Sequence, residues 1–259
     1  MRQFHVWQAF ALAFFSRSLY RDVAQRWRGE TFLYLLLLIL VWWVPVAVLL
    51  HIESGAFAAT YGPKLIDQFP VITVKNGQVS VDATMPYVIA DPETGARFAV
   101  IDTTGATATL EAAQAPALLT RNELILREGD RGSRAYSLKE IPELVIDRAR
   151  LYEWMDIFRA WFVPVASVFV VLFMYLYRIL QALLYSLVGM LFSRILQVRL
   201  DYAALVRLAI MALTPAVMLD VLVGLAGVAI PGPVSLAVAI AYLYFGIKAN
   251  EKQEAVVVA

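Results

Sequence analysis

The chain has 259 residues, of which 61% are hydrophobic, whereas soluble globular chains are about 45–50% apolar. Its mean hydropathy is +0.67, and its formal net charge of +1 gives no indication of nucleic-acid binding. The lack of cysteine excludes disulfides and thiolate catalysis, and His5 and His51 stand far from any acidic cluster that could complete a zinc site. We therefore expect an integral membrane protein that uses no metal and no cofactor.

Residues 1–30 are predicted to form a cytoplasmic amphipathic helix in the membrane interface. Apolar and aromatic residues recur there at helical three-to-four spacing, and arginines provide cationic groups. Two interpretations stay open: a structural flap that packs under the helical bundle, and a helix that senses lipid or binds a partner. The residues of this helix predicted to contact lipid are Trp7, Phe14, Phe15, Arg17 and Arg21.

Residues 31–52 are predicted to form the first transmembrane span. The apolar run at 32–50 approaches the ~20 residues that cross a bilayer. It is longer than the roughly 7–15 apolar residues of a signal peptide, so we expect an uncleaved anchor. Arginine exceeds acidic residues in the first thirty positions, which places the N-terminus in the cytoplasm by the positive-inside rule.

Residues 53–155 are predicted to form an extracytoplasmic α+β domain built on a small antiparallel sheet. Asn76-Gly77 lies between β-branched runs, which is a strong hairpin signal. Turn residues at 91–95 and 129–132 also separate pairs of short apolar runs, so we expect two further hairpins. Such a domain can bind a ligand, bind a partner or cap the bundle.

Two stretches of this domain lack strand signals. The alanine-rich stretch at 106–117 is predicted to be a short helix or a crossing loop. Residues 139–155 are predicted to be a helix that runs into the second span, with Pro142 in its first turn.

The sequence Asp-Thr-Thr-Gly at 102–105 is similar to the Asp-Thr-Gly loop of aspartic proteases. Protease chemistry needs two carboxylates that share a proton, but here an extra threonine interrupts the tripeptide and no second copy exists. Aspartate and glycine are also common where a strand ends in a turn. We therefore predict a turn, and the lack of a nucleophile–base pair predicts that the protein is not an enzyme.

Residues 156–249 are predicted to form a transmembrane helical bundle, followed by a cytoplasmic tail at 250–259. The apolar segment at 179–198 contains arginine, and as a separate span it would place arginines outside, against the positive-inside rule. We therefore favour four spans plus an interfacial segment, and five spans are the alternative. The spans after the first are expected near residues 157–177, 205–228 and 234–247.

Arg194 lies within this ambiguous segment and Arg199 directly follows it, and with Arg207 and Lys248 they form a basic collar. Basic groups at the cytoplasmic end of a span set topology and attract anionic lipid. We therefore expect Arg194 and Arg199 to contact lipid.

Asp220 is the centre of a candidate intramembrane polar site. An ionisable residue at membrane depth is costly and indicates function unless a structural partner explains it. By depth, its expected partner is Arg159. Thr214 and Pro215 predict a kink in which the threonine hydroxyl binds freed backbone groups, and Gln181 would extend the polar path. A static ion pair, or an aspartate wetted at the outer interface, is the structural alternative.

Three stretches resemble a known family: 20–23 (YRDV), 86–105 (PYVIADPETGARFAVIDTTG) and 200–215 (LDYAALVRLAIMALTP). The family is an uncharacterised group of bacterial multi-pass membrane proteins that includes a protein associated with maltodextrin utilisation in Gram-positive bacteria. Its helical part is grouped with Yip-type membrane proteins, which commonly have five spans. The resemblance covers nearly the whole chain, implies the bacterial cytoplasmic membrane, and provides no catalytic residues.

Together, these observations predict a non-enzymatic inner-membrane protein. We expect its extracytoplasmic domain to bind or sense a ligand or partner, and its bundle to anchor the protein or relay a signal. The expected partners are membrane lipids and a membrane protein or a second copy of the chain, and not nucleic acid. The alternative is a transporter component or lipid-handling protein with a polar site around Asp220.

Overall fold

The computed structural model describes residues 3–129, 132–225, 227–228 and 230–251. The chain divides into two compact units. The helical unit consists of Met1–Ala47 and Val165–Ala259, and the strand-rich unit is Val48–Pro164. The end of the predicted tail beyond residue 251 and the middle of the predicted turn at 129–132 lie outside the described residues.

The described residues form seven α-helices and eight β-strands. The helices are α1 Val6–Leu12, α2 Arg17–Arg26, α3 Glu30–Ile66, α4 Leu110–Ala113, α5 Arg148–Ile195, α6 Tyr202–Leu225 and α7 Gly232–Lys248. The strands are β1 Ile72–Lys75, β2 Gln78–Val81, β3 Tyr87–Ala90, β4 Arg97–Asp102, β5 Ala117–Thr120, β6 Glu123–Arg127, β7 Ser133–Ser137 and β8 Glu143–Ile146.

Three of the described helices, α3, α5 and α6, are long and apolar enough to cross a membrane. Their most apolar windows have mean hydropathies of 2.7, 2.1 and 2.0. Helix α7 is also apolar but has only 17 residues. At 1.5 Å per residue it is about 26 Å long, slightly less than the ~30 Å hydrocarbon core of a bilayer.

Helix α5 is continuous over 48 residues. The segment at 179–198, for which the sequence left two placements, is the last part of this helix up to Ile195. The helix does not break at Arg178, where a separate fifth span would need a turn. At 1.5 Å per residue it is about 72 Å long, more than twice the ~30 Å hydrocarbon core.

The N-terminal segment forms two helices, α1 and α2, instead of the single amphipathic helix that the apolar spacing predicts. Ser16 separates them, because its Oγ accepts a hydrogen bond from the backbone N–H of Leu19 at 3.2 Å and so caps α2. The apolar side of α2 is buried and packs against α6 and α7. This arrangement agrees with the packed flap that the sequence left open.

Helix α6 lies at the centre of the helical unit, and nearly all its side chains from 204 to 217 are buried. Helices α2 and α7 both contact it. The ring of Tyr20 on α2 packs against Gly246 on α7, where a Cβ would approach a ring carbon to 2.5 Å. A glycine is therefore required at 246 for α2 to pack this closely.

The strand-rich unit contains two sheets. One has three antiparallel strands in the order β2-β1-β8, and the other has five in the order β3-β4-β5-β6-β7. The three predicted hairpins are confirmed as β1–β2, β3–β4 and β6–β7. In the first, Asn76 and Gly77 have φ of 50° and 74°, the left-handed conformation that their turn requires.

Two sequence predictions for this unit are wrong. The predicted antiparallel pairing is confirmed for every strand pair except β4–β5, which is parallel with α4 in its crossover, so the prediction of a single, wholly antiparallel sheet is wrong only there and in the number of sheets. The first part of 139–155 is not helical, because β8 pairs with β1 and packs Leu144 and Ile146 against its apolar core. Helix α5 begins only at Arg148, after Asp147.

Candidate functional site

Asp22 on α2 holds the N-terminal helices together. Its carboxylate is buried and accepts hydrogen bonds from the backbone N–H groups of Gln3 and Phe4 at 3.0 and 3.3 Å. It also accepts from the indole of Trp27 at 3.0 Å and the guanidinium of Arg26 at 3.2 Å. A buried carboxylate is costly unless it is hydrogen-bonded, so this network gives Asp22 a structural role.

Arg207 on α6 attaches α2 to the centre of the helical unit. Its Nε and Nη2 atoms donate to the carbonyl oxygens of Val23 and Ala24 at 3.2 and 2.6 Å. These carbonyls belong to the last turn of α2, where helical partners are missing and a positive charge is favourable. The guanidinium of Arg207, a member of the predicted basic collar, is therefore already bound to carbonyl groups of α2.

Arg17 and Arg21, two of the predicted lipid contacts, are also in contact with the protein. The guanidinium of Arg17 lies 5.8 Å from the ring centroid of Phe245, a cation–π contact. The Nε of Arg21 donates to the carbonyl oxygen of Ala249 at the end of α7. Both side chains thus help to fix the N-terminal helices against α7.

The three aromatic residues predicted to contact lipid differ in their surroundings. Phe14 packs edge-on against Tyr242 of α7, with ring centroids 6.5 Å apart. Trp7 and Phe15 are 66% and 67% exposed. Of the three, Trp7 and Phe15 have the exposure that lipid contact requires, and that contact stays a prediction.

Thr214 connects α6 to α3. Its Oγ1 shares a hydrogen bond of 2.7 Å with the hydroxyl of Tyr34, and both residues are buried. The sequence predicted that the threonine hydroxyl binds the backbone groups freed by Pro215. The hydroxyl instead bonds to Tyr34. Helix α6 continues through that proline.

Asp220 is half-buried near the end of α6, and its carboxylate accepts a hydrogen bond from the hydroxyl of Ser235 on α7. Sequence reasoning did not name Ser235, although a serine near the start of an apolar helix was a visible signal. The guanidinium of Arg159 lies beside Gly55 in the strand-rich unit, with Nε 3.1 Å from where a Cβ would stand. The pairing of Asp220 with Arg159 stays a prediction.

Gln181 takes part in a ladder of hydrogen bonds along α5. It accepts from the guanidinium of Arg178 at 2.7 Å and donates to the hydroxyl of Tyr185 at 2.7 Å. Both partners belong to its own helix, so these bonds connect Gln181 to neither Thr214 nor Asp220.

Asp102 forms the turn at the end of β4 that the sequence predicted. Its carboxylate accepts hydrogen bonds from the hydroxyl and backbone N–H of Thr104 at 2.6 and 2.8 Å, and from the N–H of Thr107 at 2.6 Å. The Thr104 hydroxyl is the largest cause that lowers the pKa of Asp102 to about 2. Asp102 is therefore an ionised turn residue.

Asp91 connects the β3–β4 turn to the last part of α3 through hydrogen bonds. Its carboxylate accepts from the backbone N–H groups of Thr94 and Glu93 at 2.7 and 2.9 Å, and from the hydroxyl of Tyr61 at 2.8 Å. These bonds, with the N–H of Thr94 as the largest cause, lower the pKa of Asp91 to about 2. The Asp91 carboxylate thus serves the structure of this turn.

A cavity of about 780 Å³ lies at the connection between α5 and α6. It brings together Arg194 and Arg199, which are both exposed. Within the described ranges, neither guanidinium has a hydrogen bond or an ion pair. The remaining lining residues are Ser193, Gln197, Val198, Leu200 and Asp201.

The edge of β7 that faces away from β6 is exposed. All five of its residues are exposed. β7 pairs with β6 on one side, and it is the last strand of the five-stranded sheet in the described part of the chain. The backbone of β7 thus presents an open row of donors and acceptors.

Charge is divided unevenly between the units. The strand-rich unit has 11 basic and 15 acidic residues in its sequence, a net charge of −4. The helical unit has 11 basic and 6 acidic residues, a net charge of +5. The near-neutral whole chain therefore consists of oppositely charged parts.

These features define a helical protein with three helices able by length and composition to cross a membrane, and a strand-rich unit inserted in the chain. Residues 7–247 match the family described as "Protein of unknown function (DUF1189)". The chain belongs to this family, which confirms the resemblance to an uncharacterised family. No match was found among curated proteins or among solved structures.

Proposed function

We propose that the chain is a non-enzymatic, multi-pass protein of the bacterial cytoplasmic membrane. Helices α3, α5, α6 and α7 form four spans, with both ends of the chain in the cytoplasm and the strand-rich unit outside. The excess of arginine over acidic residues in the first thirty positions, beside α3, supports this orientation, because basic residues next to a span are retained on the cytoplasmic side. The continuity of α5 supports four spans over five.

The strand-rich unit binds a partner through the outer edge of β7. The exposure of all five β7 residues is the observation that carries this proposal. An open strand edge binds an extended peptide by adding it to the sheet. Proteins usually protect such edges with proline, charge or a covering segment, and the only charged residue in β7 is Arg134.

The helical unit anchors this binding module and relays its occupancy. Helices α3 and α5 each contribute residues to both units, and neither is interrupted at the boundary. A continuous helix transmits a displacement along its axis better than a flexible linker does. The described connections thus suit a relay.

Replacing Ala135 by proline tests the partner-binding proposal. The N–H of Leu138 donates to the carbonyl oxygen of Asn122 at 2.9 Å, so alternation directs the N–H of Ala135 away from β6. Proline removes this outward donor without removing a bond to β6. We expect Ala135→Pro to abolish cross-linking from a photoreactive residue at Ser133 to its partner in intact membranes.

The matched control is Ala135→Val, which keeps the N–H and suits a strand. It should preserve the cross-linked product. The proposal fails if Ala135→Pro cross-links as well as the wild type, or if the wild type forms no product.

A second candidate is a transporter component or lipid-handling protein, favoured by the hydrogen bond between Asp220 and Ser235 that joins α6 to α7. A carboxylate at membrane depth can mark a transport path. On this proposal, Asp220→Asn abolishes flux or lipid flipping in reconstituted vesicles while the protein level is unchanged. Unchanged transport in that variant rules this candidate out.

A further inference from the structure

The cavity between α5 and α6 lies at the end of an exposed apolar stripe. The stripe follows one side of the last third of α5, and each of its members is more than half exposed: Leu180, Leu184, Leu187, Leu191 and Ile195. The opposite side is buried against the helical unit at Ala182, Ser186 and Ser193. In this last third of α5, the stripe is therefore the outward side of a helix whose opposite side is packed.

Arg194 connects the stripe to the cavity. Leu187 and Leu191 stand seven and three residues before it, a spacing that places all three on the same side of an α-helix. The chain then leaves α5 at Gln197, which has a left-handed φ of 54°. This reversal brings Arg199 to the same cavity as Arg194.

The positive charge of the cavity is available to an external anion. The carboxylate of Asp201, also in the lining, accepts from the N–H of Ala204 at 2.8 Å and thereby caps α6. It also lies 3.9 Å from Arg207, whose guanidinium is already bound to carbonyls of α2. Arg194 and Arg199 have no such partner in the described residues.

We propose that this cavity binds the phosphate of an anionic phospholipid, whose acyl chains lie along Leu187, Leu191 and Ile195. Guanidinium groups bind phosphate oxygens in paired, charge-assisted hydrogen bonds. A volume of about 780 Å³ suits a headgroup, since small-molecule pockets are typically about 300–1,000 Å³. The adjoining apolar stripe distinguishes a lipid from a soluble phosphate, which would gain nothing from it.

This site depends on membrane location and not on the partner proposed for β7. The two proposals can therefore fail separately. Both stripe and cavity belong to the helical unit.

The test measures lipid retained by the full chain in nanodiscs of phosphatidylcholine with phosphatidylglycerol as the minor lipid. After mild delipidation, mass spectrometry counts each lipid bound per protein. We expect the wild type to retain phosphatidylglycerol preferentially. The double variant Arg194→Gln/Arg199→Gln should retain about tenfold less, which corresponds to a loss of about 1.4 kcal/mol of binding free energy.

Arg28→Gln is the matched control, because Arg28 is an exposed arginine of the same unit outside the cavity. It removes the same charge and should retain lipid like the wild type. A further variant, Arg194→Lys/Arg199→Lys, keeps the charge but loses the paired geometry, and should be intermediate.

Competition separates the two possible sources of phosphate. Inorganic phosphate and glycerophosphoglycerol should not displace the lipid, because neither covers the stripe, and Leu191→Gln should weaken retention. Equal displacement by these soluble compounds would show a soluble ligand and overturn the lipid proposal. Equal retention of both lipids by the wild type would also overturn it. So would unchanged retention in the double variant Arg194→Gln/Arg199→Gln.

Discussion

Single polar residues that attract attention in the sequence mostly serve the structure of this protein. Asp22, Asp102 and Thr214 each form side-chain hydrogen bonds within their own unit. The partners of Asp102 were predictable, because Asp-Thr-Thr-Gly is local turn chemistry. Those of Thr214 were not, since Tyr34 is 180 positions away and only tertiary packing brings the two hydroxyls together.

The Tyr34–Thr214 bond should couple α3 to α6 energetically. Either Tyr34→Phe or Thr214→Val leaves the other hydroxyl buried without its partner, at a cost of about 1–3 kcal/mol. The double variant should cost less than the sum of the single variants, because no orphaned hydroxyl remains. Denaturant unfolding of the purified protein in detergent measures all three. Strictly additive losses would show that the bond contributes nothing.

Asp102 should make the strand-rich unit sensitive to acid. Its pKa is lowered to about 2 in the folded protein, from a value near 3.8. Its contribution to stability is therefore complete above about pH 4 and lost as the pH falls towards 2. Asp102→Asn should remove this part of the pH dependence, and Thr104→Ala should reduce it. Unfolding free energies across that range provide the measurement, and an unaltered pH profile in Asp102→Asn contradicts the prediction.

At the scale of elements, the sequence predicts those helices, strands and turns whose conformation depends on neighbouring residues in the chain. Asn76-Gly77 marked the first hairpin because its turn type needs these residues. Strand β8 was missed because its conformation depends on pairing with β1, across more than sixty intervening residues. The break between α1 and α2 was missed because the apolar spacing continues through it, although Ser16 is a typical N-cap.

Gly246 tests the packing of α2 on α7. Gly246→Ala places a methyl group against the Tyr20 ring, and we expect a loss of about 1–3 kcal/mol from overpacking. Gly224→Ala is the control, because a Cβ there meets nothing within 4 Å and alanine favours a helix. Unfolding in detergent should destabilise the first variant and leave the second unchanged or slightly more stable. Equal stability of both variants would contradict this packing.

At the scale of the whole molecule, composition and the placement of the apolar runs were enough to predict apolar helices before and after a strand-rich unit in the chain. The length of α5 was not predictable, because an apolar pattern does not show whether a helix continues or turns at Arg178. The cavity at the α5–α6 connection was not predictable either. The basic residues were visible, but only the fold assembles Arg194 and Arg199 around one space.

The central claim is that the strand-rich unit lies outside the cytoplasm while the N-terminal helices lie inside. The chain has no cysteine, so a single introduced cysteine reports its own side of the membrane. Glu93, in the β3–β4 turn, and Gln25, on α2, are both exposed. In sealed right-side-out vesicles, a membrane-impermeant maleimide should label Glu93→Cys directly and Gln25→Cys only after permeabilisation. The reverse pattern, or equal labelling of both before permeabilisation, would contradict the account.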